Sequence, residues 1–142
     1  MDIELLKHLV DYGVIALLVF MSFISVWFFI ERLLFFKSID VRAYKTKKSC
    51  ELAITKHLTI IGTIASNSPY IGLLGTVLAI MLTFINMSSG DIEATKIMAS
   101  LALALKATAV GLVVAIVSMI FYNILSRYAE VIESHFDEIE EI

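Results

Sequence analysis

From Leu58 to Gly90 the chain carries no Asp, Glu, Lys or Arg. As a helix rising about 1.5 Å per residue, such a run exceeds the roughly 30 Å hydrocarbon depth of a bilayer. A soluble domain of 142 residues would have to bury it on every side. The whole chain is 59% hydrophobic, with one proline and a mean hydropathy of +0.89, more apolar surface than a soluble fold of this size can cover. The expected fold class is therefore all-α, an integral membrane protein.

Gaps between charges set three expected spans, at about 12–30, 62–86 and 97–126, in a single membrane domain. Residues 58–68 are expected to straddle an interface, with Pro69 near the start of the buried portion or at a kink. Met87 to Lys96, containing Ser88-Ser89-Gly90-Asp91, reads as a polar turn between antiparallel helices. Asp2, Glu4 and Asp11 precede the first span with only Lys7 opposing them, and no small-x-small site follows it, so a retained span is expected rather than a cleaved signal.

Charge sets the expected orientation. Seven of the eleven basic residues lie between Arg32 and Lys56, and six of the fourteen acids between Glu130 and Glu141. By the positive-inside rule the 31–57 loop is cytoplasmic. The N-terminus and the 87–96 turn are then outside, and the acidic helical tail 127–142 is inside. The second and third helices are expected to extend into the cytoplasm, where basic loop and acidic tail would pair. Cys50, the lone cysteine, is expected to be a reduced thiol without a role.

One pattern stands above the rest. Ser100, Ala104, Thr108, Gly111, Ala115 and Ser118 recur at steps of four and three, hence on one helix face. The same steps pick out Tyr122, Leu125, Ala129, Ile132, Phe136 and Ile139, implying one helix from Ile92 to Glu140, roughly 70 Å long. The second span repeats the device with Ser68, Gly72, Thr76, Ala79, Thr83 and Asn86. Thr76, Thr108, Thr83 and Ser100 are the candidate pore-lining residues. Gly72, Gly75, Ala79, Ala104, Gly111 and Ala115 are the candidate packing residues. Periodicity alone is shared by a pore and by a tight bundle, because small residues also let helices approach closely.

Lys106 is the one intramembrane charge, some 200° around the helix from Thr108. It either snorkels, sits at a subunit contact or takes part in ion transfer. The expected function is not enzymatic: His8, His57 and His135 have no metal-ligand spacing, and phosphate loops and nucleophile elbows are missing. No cofactor, metal or nucleic acid is expected. The basic block sits between two membrane helices.

The run Ile64-Ala65-Ser66-Asn67-Ser68-Pro69-Tyr70-Ile71-Gly72-Leu73-Leu74-Gly75-Thr76-Val77, then Phe84, then Ala104-Leu105-Lys106-Ala107-Thr108-Ala109-Val110-Gly111-Leu112-Val113-Val114-Ala115-Ile116 and Tyr122-Asn123, resembles the membrane signature of the ExbB/TolQ/MotA proton-channel family. The resemblance implies a three-span inner-membrane subunit in a pentameric homo-oligomer, with helices two and three around the single-span helices of an ExbD- or TolR-like partner. It implies that the partner supplies the titrating Asp and that proton motive force drives a TonB- or TolA-like protein. The chain departs from the family in two respects. The 31–57 loop is short, and Leu103 stands where members often carry a glutamate. The MotA branch is disfavoured, since it uses four spans and a large cytoplasmic domain. An ExbB-type subunit is expected, with a TolQ-type subunit or a non-conducting scaffold as the alternatives.

Overall fold

In a computed structural model, described for residues 2–88, 90 and 93–140, the chain forms four helices: α1 Ile3–Ser38, α2 Lys47–Ile54, α3 Leu58–Ser88 and α4 Ala94–Glu140. Three of them, α1, α3 and α4, are long and apolar enough to cross a membrane. Ser89, Asp91 and Ile92 of the expected turn, and the last two residues of the tail, lie outside the described residues.

The segment read as the 31–57 loop is largely helical. Helix α1 does not stop at Glu31 but continues to Ser38, so it projects beyond its uncharged portion as the other long helices do. A turn of 3-10 helix at Val41–Ala43 follows, its first residues held by the Asp40 carboxylate accepting from the Arg42 N–H at 3.0 Å. Helix α2 starts at Thr46, whose hydroxyl accepts from the Ser49 N–H at 3.1 Å and satisfies one of the four free donors of the first turn. The chain then reverses into α3 through His57, which has a φ of 69°. That left-handed geometry is uncommon for a residue with a side chain.

Helix α3 runs through Pro69 without a break. Proline removes one N–H from the ladder and crowds the carbonyl four residues back. Around it the Ser66, Asn67 and Ser68 side chains each donate to a carbonyl of the preceding turn, at 2.8, 2.9 and 2.6 Å.

The two small-residue faces pack on each other within one chain. A Cβ on Gly72 would lie 2.6 Å from the Ala107 carbonyl oxygen, and one on Gly111 would lie 2.6 Å from that of Ser68. The backbones of α3 and α4 therefore touch, which only glycine permits. Helix α1 lies across both. Its Ser25 Oγ and the Ser118 Oγ of α4 are 2.8 Å apart and buried, and Val14 packs over Gly75.

Two hydrophobic clusters follow. A small one gathers Leu18, Ile64 and Val114 midway along α1, with Met21, Ile71 and Val110 against it. The larger joins α1, α2, α3 and α4 at the end carrying the basic segment, around Phe36, Ile54, Ile61, Leu125 and Phe136. Phe29 stacks on Phe121 with centroids 4.1 Å apart, and Phe36 on Tyr128 at 5.5 Å. The outer side of α1 leaves Phe20, Phe23 and Trp27 exposed, as a lipid-facing surface requires.

Candidate functional site

Thr76 and Thr108, which the periodicity puts on separate helix faces, meet in the α3–α4 seam. Their hydroxyls are directly hydrogen-bonded. Thr76 Oγ1 also lies 2.9 Å from the Ala104 carbonyl oxygen and 3.2 Å from that of Gly72. Each hydroxyl has one proton. With Thr76 donating to Ala104, Thr108 can donate to Thr76, and with Thr76 donating to Thr108, Thr108 faces the Gly72 carbonyl at 3.5 Å; in either arrangement both protons are placed inside the chain. Thr76 is 6% exposed, whereas Thr108 keeps a half-buried edge. Among the described residues every buried side-chain nitrogen and oxygen has a partner.

The other candidates separate. Thr83 is buried and donates to the Ala79 carbonyl of its own helix at 2.9 Å. Ser100 is drawn to α1, accepting from Lys7 Nζ at 2.6 Å, at the rim of a polar recess of about 630 Å³ that also takes in Glu4, Asp11, Asn86 and Lys96. Gly72, Gly75, Ala79, Ala104, Gly111 and Ala115 are all buried. The contacts of the three glycines are within the chain.

Lys106 is exposed, off the seam, and shares a recess of about 210 Å³ with His8, Asp11, Tyr12 and Ile15 of α1. Asp11, in the third turn of α1, is thus the acid that lines the same recess as Lys106.

At the basic end, Lys47 reaches Asp137 at 3.1 Å and Glu133 at 3.9 Å. This tie between α2 and the acidic end of α4 is one the opposite charges of the two segments foretell. The bond to Asp137 raises the Lys47 pKa above its ordinary value.

Three features escaped the reading of the sequence. Arg32, counted there only as a loop charge, is 3% exposed. It forks onto Glu31 with two bonds of 2.6 Å, donates to the Ala53 carbonyl at 2.8 Å and lies over the Phe35 ring at 4.2 Å. The Arg32 hydrogen bonds hold the Glu31 carboxyl below its usual range. Nearby His57 stacks on Phe28 at 4.2 Å, and burial pushes its pKa down. The second feature is Ser25, one of two serines, with Ser22, in the first span. The third is a row of exposed polar side chains on α3, Thr59, Thr63, Ser66 and Asn67, off the small-residue seam. Their helical spacing is visible in the sequence.

A helical hairpin closed by a small-residue seam with hydroxyls inside it, and a third long apolar helix laid across, defines a polytopic helical membrane protein. The MotA/TolQ/ExbB proton channel family model matches residues 30–138, and the chain belongs to that family. It is 49% identical over 133 residues to the putative biopolymer transport protein ExbB-like 2 of Helicobacter pylori, spanning 93% of this chain and 89% of the relative. It is 54% identical over 125 residues to the biopolymer transport protein ExbB of Aquifex aeolicus, spanning 87% and 84%. Similarity to the Tol-Pal system protein TolQ of Haemophilus influenzae is 39% over 85 residues, 59% of this chain and 37% of that one.

Proposed function

We propose that this chain is the ExbB-type subunit of an inner-membrane complex that couples proton motive force to TonB-dependent transport at the outer membrane. The observation that carries the reading is near-full-length similarity to ExbB proteins, against a TolQ match confined to part of both chains. The 31–57 segment faces the cytoplasm by its Lys and Arg content. The ion pairs from Lys47 to Glu133 and Asp137 support putting the α4 tail on that same side.

Threonine does not titrate near neutral pH, so this chain holds and orients protons' partners but does not carry protons itself. A single-span ExbD- or TolR-like partner supplies the carboxylate. It approaches the half-buried edge of Thr108, where an ionised carboxylate accepts a hydrogen bond from the Thr108 hydroxyl in place of Thr76. Protonating the carboxylate returns that bond to the threonine pair and changes the attraction between the two components. A proton releases about 2.3 kcal/mol per 100 mV, so useful work takes several protons. A homopentamer of this chain would enclose the partner's helices.

The decisive variant is Thr108→Val. Valine keeps the shape of threonine, and Thr76 still donates to Ala104, so assembly and partner binding should persist while proton-driven work disappears. Complexes of normal size that still couple at the parental rate would overturn the role given to Thr108. A non-conducting scaffold is the competing reading, favoured by the mutual satisfaction of the two hydroxyls. It predicts activity that tracks assembly alone, and proton flux in proteoliposomes with and without the partner separates the two.

A further inference from the structure

The charges of α1 and α4 mark two common levels. Asp11 and Lys106 share one recess. At the other end Glu31 and Arg32 lie one turn from Phe36, which stacks on Tyr128 beside Arg127. The Ser25–Ser118 and Phe29–Phe121 contacts set the uncharged stretches 12–30 and 107–126 level to within about one turn, and the 19 residues of 12–30 span about 28 Å, one hydrocarbon thickness. Helix α3 crosses the same layer between His57, stacked on Phe28, and Gly75, packed under Val14. The middle of the layer is the Leu18 cluster, with Met21, Ile64 and Ile71. Asn67 lies between Ile64 and Ile71 on α3, hence at mid-depth. That places the membrane about two turns nearer the basic end of α3 than charge gaps alone suggest.

Asn67 is exposed at this depth, and so, below it, are Ser66, Thr63 and Thr59. They form one face at helical spacing. A lipid-facing amide at mid-bilayer is strongly disfavoured, since nothing there can bond its free atoms. One Asn67 Nδ2 proton and the Ser66 Oγ and Thr63 Oγ1 protons are given to carbonyls of their own helix, at 2.9, 2.8 and 2.8 Å. The amide oxygen and second N–H of Asn67 and the lone pairs of the hydroxyls are left for water. They line an open recess of about 480 Å³ between α3 and α4, floored at Gly62 by the Tyr122 ring. Farther along the same face the exposed residues are Tyr70, Leu74, Val77 and Met81. The face is polar from the basic end to mid-depth and apolar beyond Tyr70.

We propose that the Thr59–Thr63–Ser66–Asn67 face borders a water-filled half-path, open to the cytoplasm, ending between Asn67 and Tyr70 and closed beyond by Leu74 and Val77. Only the passage of protons along it rests on the function proposed above.

The test is thiol accessibility of the full chain with its partner in membranes, in a Cys50→Ala background. Asn67→Cys, Thr63→Cys, Val77→Cys and Phe23→Cys are exposed in turn to a charged, membrane-impermeant methanethiosulfonate and to a lipid-soluble maleimide. Phe23, on the outer side of α1 two residues from Met21, is the mid-depth control. The half-path predicts labelling of Asn67→Cys and Thr63→Cys by the charged reagent from the cytoplasmic side only, with Val77→Cys unlabelled from that side and Phe23→Cys unlabelled from either. Labelling of Asn67→Cys by the maleimide alone would mean lipid, and protection from both reagents would mean a packed protein helix; either overturns the proposal. Where the parent complex passes protons, the modified Asn67→Cys complex should lose that flux, and unchanged flux would overturn the path. A parent that passes none would defeat the proton-channel function and leave the labelling to decide hydration.

Discussion

Gly72 and Gly111 show how narrowly single positions set this interface. A methyl group at either would meet a backbone oxygen at 2.6 Å, and backbone cannot swing aside as a side chain does, whereas a methyl group at Gly13 meets nothing within 4 Å. Gly72→Ala should therefore lower the thermal unfolding temperature in detergent. Gly13→Ala should leave it unchanged or raise it, alanine being better than glycine in a helix by up to about 1 kcal/mol. Equal behaviour of the two variants would mean that the helices do not touch at Gly72. The Ser25–Ser118 pair invites a double-mutant cycle. Interhelical hydrogen bonds in membranes average about 0.6 kcal/mol, and a serine that loses its partner can bond back to its own helix. The coupling between Ser25→Ala and Ser118→Ala should thus be small and favourable, read from denaturation of the two single variants and the double. The glycines were legible in the sequence as a pattern. Ser25 was not, because nothing in an isolated span says which hydroxyl will find another across the bundle.

At the scale of elements, the corner joining α2 to α3 is the pH-sensitive part. Burial is the main cause that holds the His57 pKa below 6.5, and the facing groups are Glu31, Arg32 and Lys56. A histidine with a depressed folded pKa binds fewer protons folded than unfolded, so its contribution to stability is complete above pH 6.5 and is lost as pH falls through the folded pKa. Glu31, depressed below 4.5, begins to add a loss of the same sign only below that pH. His57→Asn should flatten the acid-side loss of thermal stability between these two ranges, asparagine being tolerant of positive φ and unable to titrate. A profile that stays parallel to the parent would remove His57 from the account. Helix α4 was the most legible element, since its repeat runs unbroken through membrane and tail. The helices within 31–57 were not foreseen, because short polar helices are stabilised by the core they pack on rather than by their own periodicity.

For the molecule as a whole, the same basic-end core predicts chemical behaviour. Cys50 is 1% exposed, and burial raises its thiol pKa above the usual value, so water-soluble thiol reagents should label the native chain slowly and the denatured chain fast. Rapid labelling of the native complex would mean that α2 does not stay docked. What the sequence determined by itself was the membrane class, three long helices, the small-residue faces and the family signature, because hydrophobic length, helical period and motif order are properties of the chain read in one direction. Which face meets which was decided only in three dimensions. Thr76 bonds Thr108, Ser100 turns to Lys7, Lys106 shares a recess with Asp11 and Arg32 donates to the Ala53 carbonyl. Each joins residues on different helices, and their relative height depends on how the helices pack, with α3 and α4 meeting through bare glycine backbone that no local pattern encodes.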